Sequence, residues 1–370
     1  MLLVMRKNET EQRITALRSY FNKWRVDAVY ISSETNRRWL SGFTGSNGQL
    51  LITREHTMLA TDFRYWEQVQ QQAPDFTLFK HQRTAVDTAR LFTEVGVRRV
   101  GVEANHLTLQ MDADLKNNET LSNIIWVPLP QTVEQLRAVK NSAEIAAIRA
   151  AAGITDHTMN QVNHLACPGM SEKTLAWELE KIMRDAGAET TAFTIIVASG
   201  PNSALPHHHP GDRLLQAGDV LVVDMGAQLD GYKSDLTRTF YLGEEPDEQF
   251  WAVYNVVLAA QTAVLQQVRP GTTAKEADAI ARDIITAAGY EKHFGHGLGH
   301  GLGLDIHEAP FLSPRDENTI LLPNMITTVE PGIYLPGWGG VRIEDLTYCT
   351  EEGLIPLSRC PKTPVISIKK

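Results

Sequence analysis

Histidines and glycines alternate in one short segment of the chain. Residues 295–308 read GHGLGHGLGLDIHE, with glycine at every odd position from 295 to 303 and three histidines, His296, His300 and His307. Neutral imidazole is a good ligand for Zn, Co and similar ions, and glycine lets a backbone lie close to a ligand. The segment is therefore expected to supply a nitrogen ligand to a metal site, with glycines that leave room for metal and substrate.

Two carboxylates flank the first of two similar strand–turn–strand segments. The segment VLVVDMGAQLDGYKSDLTRTF contains Asp224 and Asp235, which are equidistant from a point between Leu229 and Asp230, beside an Asp-Gly turn signal. Residues equidistant from a hairpin turn face each other with Cβ atoms roughly 5 Å apart. The sequence therefore predicts that Asp224 and Asp235 form a facing pair.

A second pair of carboxylates flanks a later turn in the same way. In ITTVEPGIYLPGWGGVRIEDLTY, Glu330 and Glu344 are equidistant from Gly337, which lies inside the PGWGG turn. The same reasoning predicts that these two side chains face each other at the open end of a hairpin.

An internal repeat connects the two hairpins. Residues 168–189 and 270–291 align without a gap, with seven identical positions and the same helical spacing of apolar residues. Each copy precedes one of the carboxylate-bearing segments. The repeat predicts two halves related by a pseudo-two-fold, so that both carboxylate pairs converge on one point.

Four carboxylates at the ends of apolar strands require a positive partner. A local cation is one interpretation, with Arg342 beside Glu344 or Lys233 beside Asp235. One arginine cannot neutralise four carboxylates, whereas two divalent ions roughly 3.5–4 Å apart can. Oxygen-rich ligands with one imidazole suit Mn, Co or Zn, and we expect Mn.

A pair of divalent ions activates water and polarises a carbonyl, which is hydrolase chemistry. The sequence contains no GxxxxGK[ST] loop, GxSxG elbow or HExxH pair that would favour another reaction. Hydrolysis is therefore the predicted reaction class.

The expected fold is α/β, or α+β, in two domains. Residues 1–132 alternate short strands, among them DAVYISS, QLLIT and TMLATDF, with helices, the first expected over about Thr10–Arg25. Residues 133–370 contain the repeat. Asn141 with Glu144 three residues later has the spacing of a capping box, which predicts a helix start near the boundary.

Composition argues against several other classes of protein. The 370 residues carry a formal net charge of −9 without long basic runs, so neither nucleic acid nor an anionic membrane is an expected partner. The stretch MLLVMRKNETEQR has too few apolar residues for a secretory signal peptide. We expect a cytoplasmic protein.

The carboxy-terminal half resembles the pita-bread metallopeptidases (family M24), which include methionine aminopeptidase, aminopeptidase P, prolidase and creatinase. The matching motifs, within about residues 140–360, are ALPHHH, VVDMGA, YKSDLTRTF, GHGLGHGLGLDIHE, TVEPGIY and GGVRIED. The resemblance implies a pseudo-two-fold pita-bread fold and five metal ligands: Asp224, Asp235, His300, Glu330 and Glu344. It makes Asp235 and Glu344 the bridging ligands and Glu330 the proton shuttle for the attacking water.

The same resemblance gives roles to further residues around the ligands. His207, His296 and His307 correspond to histidines that contact the substrate at the scissile bond. Arg342 corresponds to the arginine beside the last ligand, for which an ordinary salt bridge is the alternative. His208 and His209, in the same HHH run as His207, are expected to be solvent-exposed.

The amino-terminal segments TNRRWLSGFTGSNGQLLIT and TDFRYWEQ are similar to the first domain of aminopeptidase P, prolidase and creatinase. Creatinase replaces the metal ligands, which are intact here. The resemblance therefore implies a homodimeric peptidase that cleaves short proline-containing peptides between the first residue and proline, as Xaa-Pro dipeptides or longer peptides. A methionine aminopeptidase-like enzyme and a non-catalytic binding protein on the same fold are the alternatives.

Overall fold

The computed structural model describes residues 2–367, and side chains within residues 9–367. The chain divides into two compact units, one reaching to Arg137 and the other beginning at Ala138. A short helix, Glu134–Ala138, lies at this division and is α7 in chain order.

The first unit alternates helices with short strands. Its helices are α1 (Leu2–Ser19), α2 (Phe21–Trp24), α3 (Glu34–Ser41), α4 (Trp66–Gln72), α5 (Ala85–Thr93) and α6 (Leu109–Lys116). Its strands are β1 (Ala28–Ile31), β2 (Gln49–Thr53), β3 (Thr57–Thr61), β4 (Thr77–Lys80), β5 (Arg99–Glu103) and β6 (Ile125–Leu129). The first predicted helix is thus two helices, and α2 ends at Arg25, whose left-handed φ of 55° stops the helix.

These strands form one mixed sheet in the order β4-β3-β2-β1-β5-β6. Strand β2 is antiparallel to both of its neighbours, whereas β1, β5 and β6 run parallel to one another. One cluster of buried side chains packs Phe92 of α5 against strand residues that include Tyr30 and Phe79. The predicted α/β character of this region is confirmed.

Among its described residues, the second unit contains four long helices that reproduce the sequence repeat. They are α8 (Ser142–Leu165), α9 (Glu172–Asp185), α10 (Glu248–Gln267) and α11 (Ala274–Ala287). Helices α9 and α11 have the same length and begin after a capping Ser171 or Thr273. The predicted capping box of Asn141 and Glu144 opens α8.

The described part of this unit, up to residue 367, also contains fourteen short strands, which fall into two groups. In the first half they are β7 (Thr190–Thr191), β8 (Ile196–Ser199), β9 (Val220–Met225), β10 (Ala227–Leu229), β11 (Tyr232–Lys233) and β12 (Leu236–Leu242). In the second half they are β13 (Gly299–Gly301), β14 (Glu308–Leu312), β15 (Ile326–Val329), β16 (Gly332–Leu335), β17 (Gly339–Arg342), β18 (Asp345–Cys349), β19 (Leu354–Pro356) and β20 (Val365–Ile366).

Each half of this unit packs its helices on its own strands. One cluster of buried residues joins α8 and α9 to β9 and β12, and another joins α10 and α11 to the strands around β15 and β17. The corresponding buried positions, Leu175, Leu179 and Met183 in α9, recur as smaller or branched residues in α11. The pseudo-two-fold arrangement of the pita-bread fold is confirmed.

Within residues 2–367, no helix combines the length and the apolar character that crossing a membrane requires.

Candidate metal centre

The expected ligands lie at the ends of strands from both halves. Asp224 is near the end of β9 and Asp235 directly precedes β12. Glu330 follows β15, and Glu344 lies between β17 and β18. His300 is the central residue of β13. Strand ends from the two halves therefore converge, as the repeat predicts.

The facing pair predicted for the first hairpin is wrong by two residues. Asp224 pairs with Thr237 rather than with Asp235, because the turn is centred on Asp230 and Gly231. Both turn residues have positive φ, 50° and 76°, as a two-residue type I′ turn requires. Asp235 is consequently a diagonal neighbour of Asp224 on the same face, which still brings the two carboxylates together.

The second hairpin has the predicted register. Leu335 pairs with Gly339 around Gly337, and Gly332 pairs with Arg342. Strands β15 and β18 continue the same register, with Val329 opposite Asp345. Glu330 and Glu344 therefore lie opposite each other between two ladders.

Three of the expected ligands approach closely enough to hold one ion. Single ligand atoms of Asp235, His300 and Glu344 all lie within 4.8 Å of one another. The Nε2 atom of His300 is 3.7 Å from Oδ2 of Asp235 and 3.4 Å from Oε1 of Glu330. The imidazole thus contacts carboxylates from both halves of the unit.

Unpaired oxygen atoms are concentrated at this centre. Among the described side chains, five buried polar atoms have no hydrogen-bond partner, and three of them are Oδ1 of Asp224, Oδ1 of Asp235 and Oε1 of Glu344. A buried carboxylate oxygen without a donor is costly. Divalent cations would give such oxygens partners, so the donor set fits the pair of metal ions that the sequence predicts.

The protonation behaviour of the carboxyl groups agrees with a missing positive charge. Burial, together with repulsion from the neighbouring carboxylates, raises the pKa of Asp235 and of Glu344 well above their usual range. Burial also raises the pKa of Glu330. Burial lowers the pKa of His300, which favours the neutral ring that a metal ligand needs.

Arg342 neutralises one of the four carboxylates. Its Nη2 donates to Oδ2 of Asp224 at 2.7 Å, and its Nη1 and Nε donate to the Tyr334 and Thr237 hydroxyls. A local cation is therefore present, but Arg342 pairs with Asp224 rather than with the predicted Glu344. Because Asp224 keeps one unpaired oxygen, the arginine and a metal can share this carboxylate.

All the predicted site residues line one cavity of about 530 Å³. His296 lies with Nε2 3.0 Å from the Tyr334 hydroxyl and Nδ1 2.7 Å from the carbonyl oxygen of Gly297. The ring of His307 packs edge-on against His300, with 4.4 Å between centroids. His207 is exposed on the cavity wall.

The expectation that His208 is solvent-exposed is wrong. Only 13% of its side chain is exposed, because Nε2 lies 2.8 Å from a carboxylate oxygen of the fully buried Glu172. His209 is exposed as predicted, and both side chains line the cavity.

The glycines of the histidine segment are required mainly by neighbouring strands. A Cβ atom on Gly299 would overlap the carbonyl oxygen of Thr328, and one on Gly301 would overlap that of Ala309. A Cβ on Gly303 would lie 2.8 Å from Oε1 of Glu308. The alternating glycines therefore let β13 pack tightly between β14 and β15, whereas the sequence predicted space for metal and substrate.

Several residues that support the site were not recognised in the sequence. The Thr237 hydroxyl donates to Oε2 of Glu344 at 2.6 Å, and the Thr328 hydroxyl donates to Oε1 of Glu330 at 3.1 Å. A buried ion pair of 2.8 Å joins Lys140 to Glu308, the residue after His307. The sequence Asp-Leu-Thr occurs in both halves, at 235–237 and 345–347. This repeat could have pointed to Thr237, since it marks the strand beside the ligands.

Comparison with known proteins identifies the family. Residues 146–351 match the family model of metallopeptidase family M24, and residues 13–139 match the creatinase/prolidase N-terminal domain. The chain belongs to metallopeptidase family M24. All five expected ligands fall within the matched residues of this family.

Individual M24 relatives resemble the chain over almost its whole length. The Bacillus subtilis peptidase YqhT is 42% identical, over 96% of this chain and 99% of its own. The structure of an Xaa-Pro dipeptidase from Bacillus anthracis is 39% identical, with a TM-score of 0.92 over 96% of this chain and 99% of that one. The structure of an X-Pro aminopeptidase from Thermotoga maritima is 35% identical, with a TM-score of 0.85 over 92% and 98%.

Proposed function

We propose that this M24 peptidase hydrolyses the bond between an amino-terminal residue and proline. The observation that carries the proposal is the set of unpaired buried oxygens of Asp224, Asp235 and Glu344 beside His300, in a cavity open to substrate. The names of the similar proteins from Bacillus anthracis and Thermotoga maritima support proline-directed cleavage.

Five residues would hold two divalent ions in this proposal: Asp224, Asp235, His300, Glu330 and Glu344. Such ions activate water and polarise a carbonyl group. Manganese is our proposal for the ions, since four carboxylates and one imidazole form an oxygen-rich set, with Co or Zn as alternatives.

The chain's own groups can move the proton and orient the substrate. Glu330 is the proposed proton shuttle, because burial raises its pKa and the Thr328 hydroxyl fixes Oε1. His207, His296 and His307 surround the same cavity and are proposed to contact the substrate on either side of the scissile bond. Arg342 is proposed to orient Asp224 through their 2.7 Å contact.

Proline places a specific demand on the pocket. The nitrogen of a bond preceding proline carries no N–H, so the pocket cannot use a hydrogen-bond acceptor there and must instead accommodate the ring. The apolar side chains Phe193, Ile196, Ile306 and Phe311 line the cavity beside the histidines and offer such a surface.

Hydrolysis of a matched series of peptides tests the proposal. The Mn-loaded protein is expected to cleave Ala-Pro, Ala-Pro-Ala or both faster than Met-Ala-Ala, and to lose this activity with a chelator. Faster cleavage of Met-Ala-Ala would favour the methionine aminopeptidase-like alternative. Absence of bound metal would favour the non-catalytic binding protein.

We further propose a homodimer and a cytoplasmic location. The homodimer rests on the family resemblance. Fractionation of the source cells tests the location, and a membrane or secreted fraction would contradict it.

A further inference from the structure

A buried carboxylate outside the metal centre contacts the wall of the same cavity. Glu172, the first residue of α9, has a side chain with 0% exposure. Its Oε1 accepts hydrogen bonds from the Ser199 N–H, the Ser199 hydroxyl and Nδ2 of Asn202, at 2.8, 2.7 and 3.0 Å. Its Oε2 lies 2.8 Å from Nε2 of His208 and accepts the Gly211 N–H at 3.2 Å. Five donors therefore surround one carboxylate.

This environment keeps Glu172 ionised. Burial would raise the pKa of Glu172, but hydrogen bonds from Ser199, His208 and Asn202 outweigh it and hold the pKa below its usual range. The nearby Arg213 donates to the Ser199 hydroxyl and is itself paired with Asp219 at 2.6 Å. His208 is consequently the cation-capable side chain in direct contact with Glu172.

The contact also determines which atom of His208 a ligand can meet. A carboxylate that accepts from one ring nitrogen fixes the orientation of an imidazole, as it does behind metal-bound histidines. Because Nε2 is used by Glu172, Nδ1 is the ring nitrogen left for a ligand. A protonated His208 beside ionised Glu172 would present an N–H donor at Nδ1.

The other basic side chains of the cavity are less suited to bind an anion. Arg342 is bound to Asp224, Tyr334 and Thr237. His296 already contacts the Tyr334 hydroxyl and the Gly297 carbonyl oxygen through its two ring nitrogens, and His300 is an expected metal ligand packed against His307.

Among the imidazoles that line the cavity within the described side chains, His208 is the one paired with a carboxylate outside the expected ligand set. It is therefore the lining residue best equipped to meet a negatively charged group of the substrate.

We propose that His208 binds the carboxylate of an Xaa-Pro dipeptide and that Glu172 is the positioning residue that holds its ring and balances its charge. The inference rests on the proposed function and selects between its two substrate classes. A dipeptide carries a carboxylate directly after proline, whereas a longer peptide has a neutral amide there. The pair would make the site discriminate in favour of free dipeptides.

Paired substrates that differ only in this group test the proposal. The Mn-loaded full-length protein is assayed with Ala-Pro and Ala-Pro-amide, and kcat/KM is compared. The wild type is expected to prefer Ala-Pro, and His208→Gln to reduce that preference about tenfold, the scale of a lost charge-assisted hydrogen bond, mainly through a higher KM for Ala-Pro. Glu172→Gln is expected to act in the same direction.

His157→Gln is the matched control, because His157 is an exposed residue of α8. It is expected to keep the wild-type preference. If Glu172→Gln fails to fold, His208→Gln still decides, because glutamine keeps a side-chain amide that can donate to Glu172.

The possible outcomes distinguish a failure of this inference from a failure of the proposed Xaa-Pro hydrolysis. Equal kcat/KM of the wild type for both substrates, or an unchanged preference in His208→Gln, would overturn the inference and leave Xaa-Pro hydrolysis standing. Loss of preference in His208→Gln but not in a folded Glu172→Gln would overturn the positioning role of Glu172. Cleavage of neither substrate by the metal-loaded wild type would overturn both the inference and the proposed function.

Discussion

Asp224, Asp235 and Glu344 each leave one buried oxygen unpaired, although hydrogen bonds satisfy their second oxygens in two cases. If buried polar atoms without hydrogen-bond partners were spread through the structure, they would indicate loose packing. Here Asp235 and Glu344 lie in one cluster with His300, and Asp224 lines the same cavity, so the missing positive charge is located at this centre. Residue chemistry alone therefore demands a cation at this point.

The contacts of the histidines predict that His300 and His207 act differently. Replacing His300 with alanine removes a ring within 4 Å of two expected ligands, so we expect lower metal occupancy and, as a result, lower activity. Replacing the exposed His207 with alanine is expected to retain metal but to lower kcat by about 100-fold or more, as the loss of a substrate-contacting group does.

Metal analysis of the purified variants, alongside kcat on an Xaa-Pro substrate, separates the two effects. Loss of metal from the His207 variant would show that our assignment of ligands and substrate contacts is wrong.

At the scale of the elements, the sequence predicted the positions of helices more accurately than the centres of hairpin turns. The gapless repeat correctly placed α9 and α11, because the spacing of buried side chains on a helix depends on local sequence alone. The register of the first hairpin was misplaced, since one residue of error in a turn centre shifts every pair by two. The predicted register of the second hairpin was correct, because Gly337, with a φ of 86°, marks the centre of its turn.

The tight packing of β13 can be tested with two glycine substitutions in the same segment. Gly301→Ala places a Cβ against the carbonyl of Ala309, so we expect the free energy of unfolding to fall by about 1–3 kcal/mol or more. Denaturant-induced unfolding measures this change.

Gly295→Ala is the matched control, because no atom lies within 4 Å of its Cβ position. We expect its effect to stay within about 0.5 kcal/mol. Equal stability of the two variants would contradict the strand-packing explanation of the glycines.

At the scale of the whole molecule, the α/β character, the repeated halves and the convergence of the carboxylates all followed from the sequence. Contacts between segments that are distant in the sequence could not be predicted in this way. Lys140 meets Glu308 across 168 positions, and Glu172 meets His208 across 36. Neither pair has a periodic or motif signal, because each depends on how elements pack rather than on local spacing.

The proposed homodimer is a property of the assembled molecule. Light scattering of the purified full-length protein is expected to give about twice the 41.2 kDa mass of the chain. A mass near that of one chain at micromolar concentration would contradict the dimer.

The most direct test of the proposed metal centre is a cycle of metal removal and restoration, with hydrolysis of Ala-Pro and Ala-Pro-Ala measured at each step. We expect chelation to abolish hydrolysis of the Xaa-Pro bond and added Mn to restore it, with full activity near two equivalents per chain, because the four carboxylates and His300 are proposed to hold two ions. Full activity of the metal-free protein, or no cleavage of either peptide by protein that has bound Mn, would contradict it.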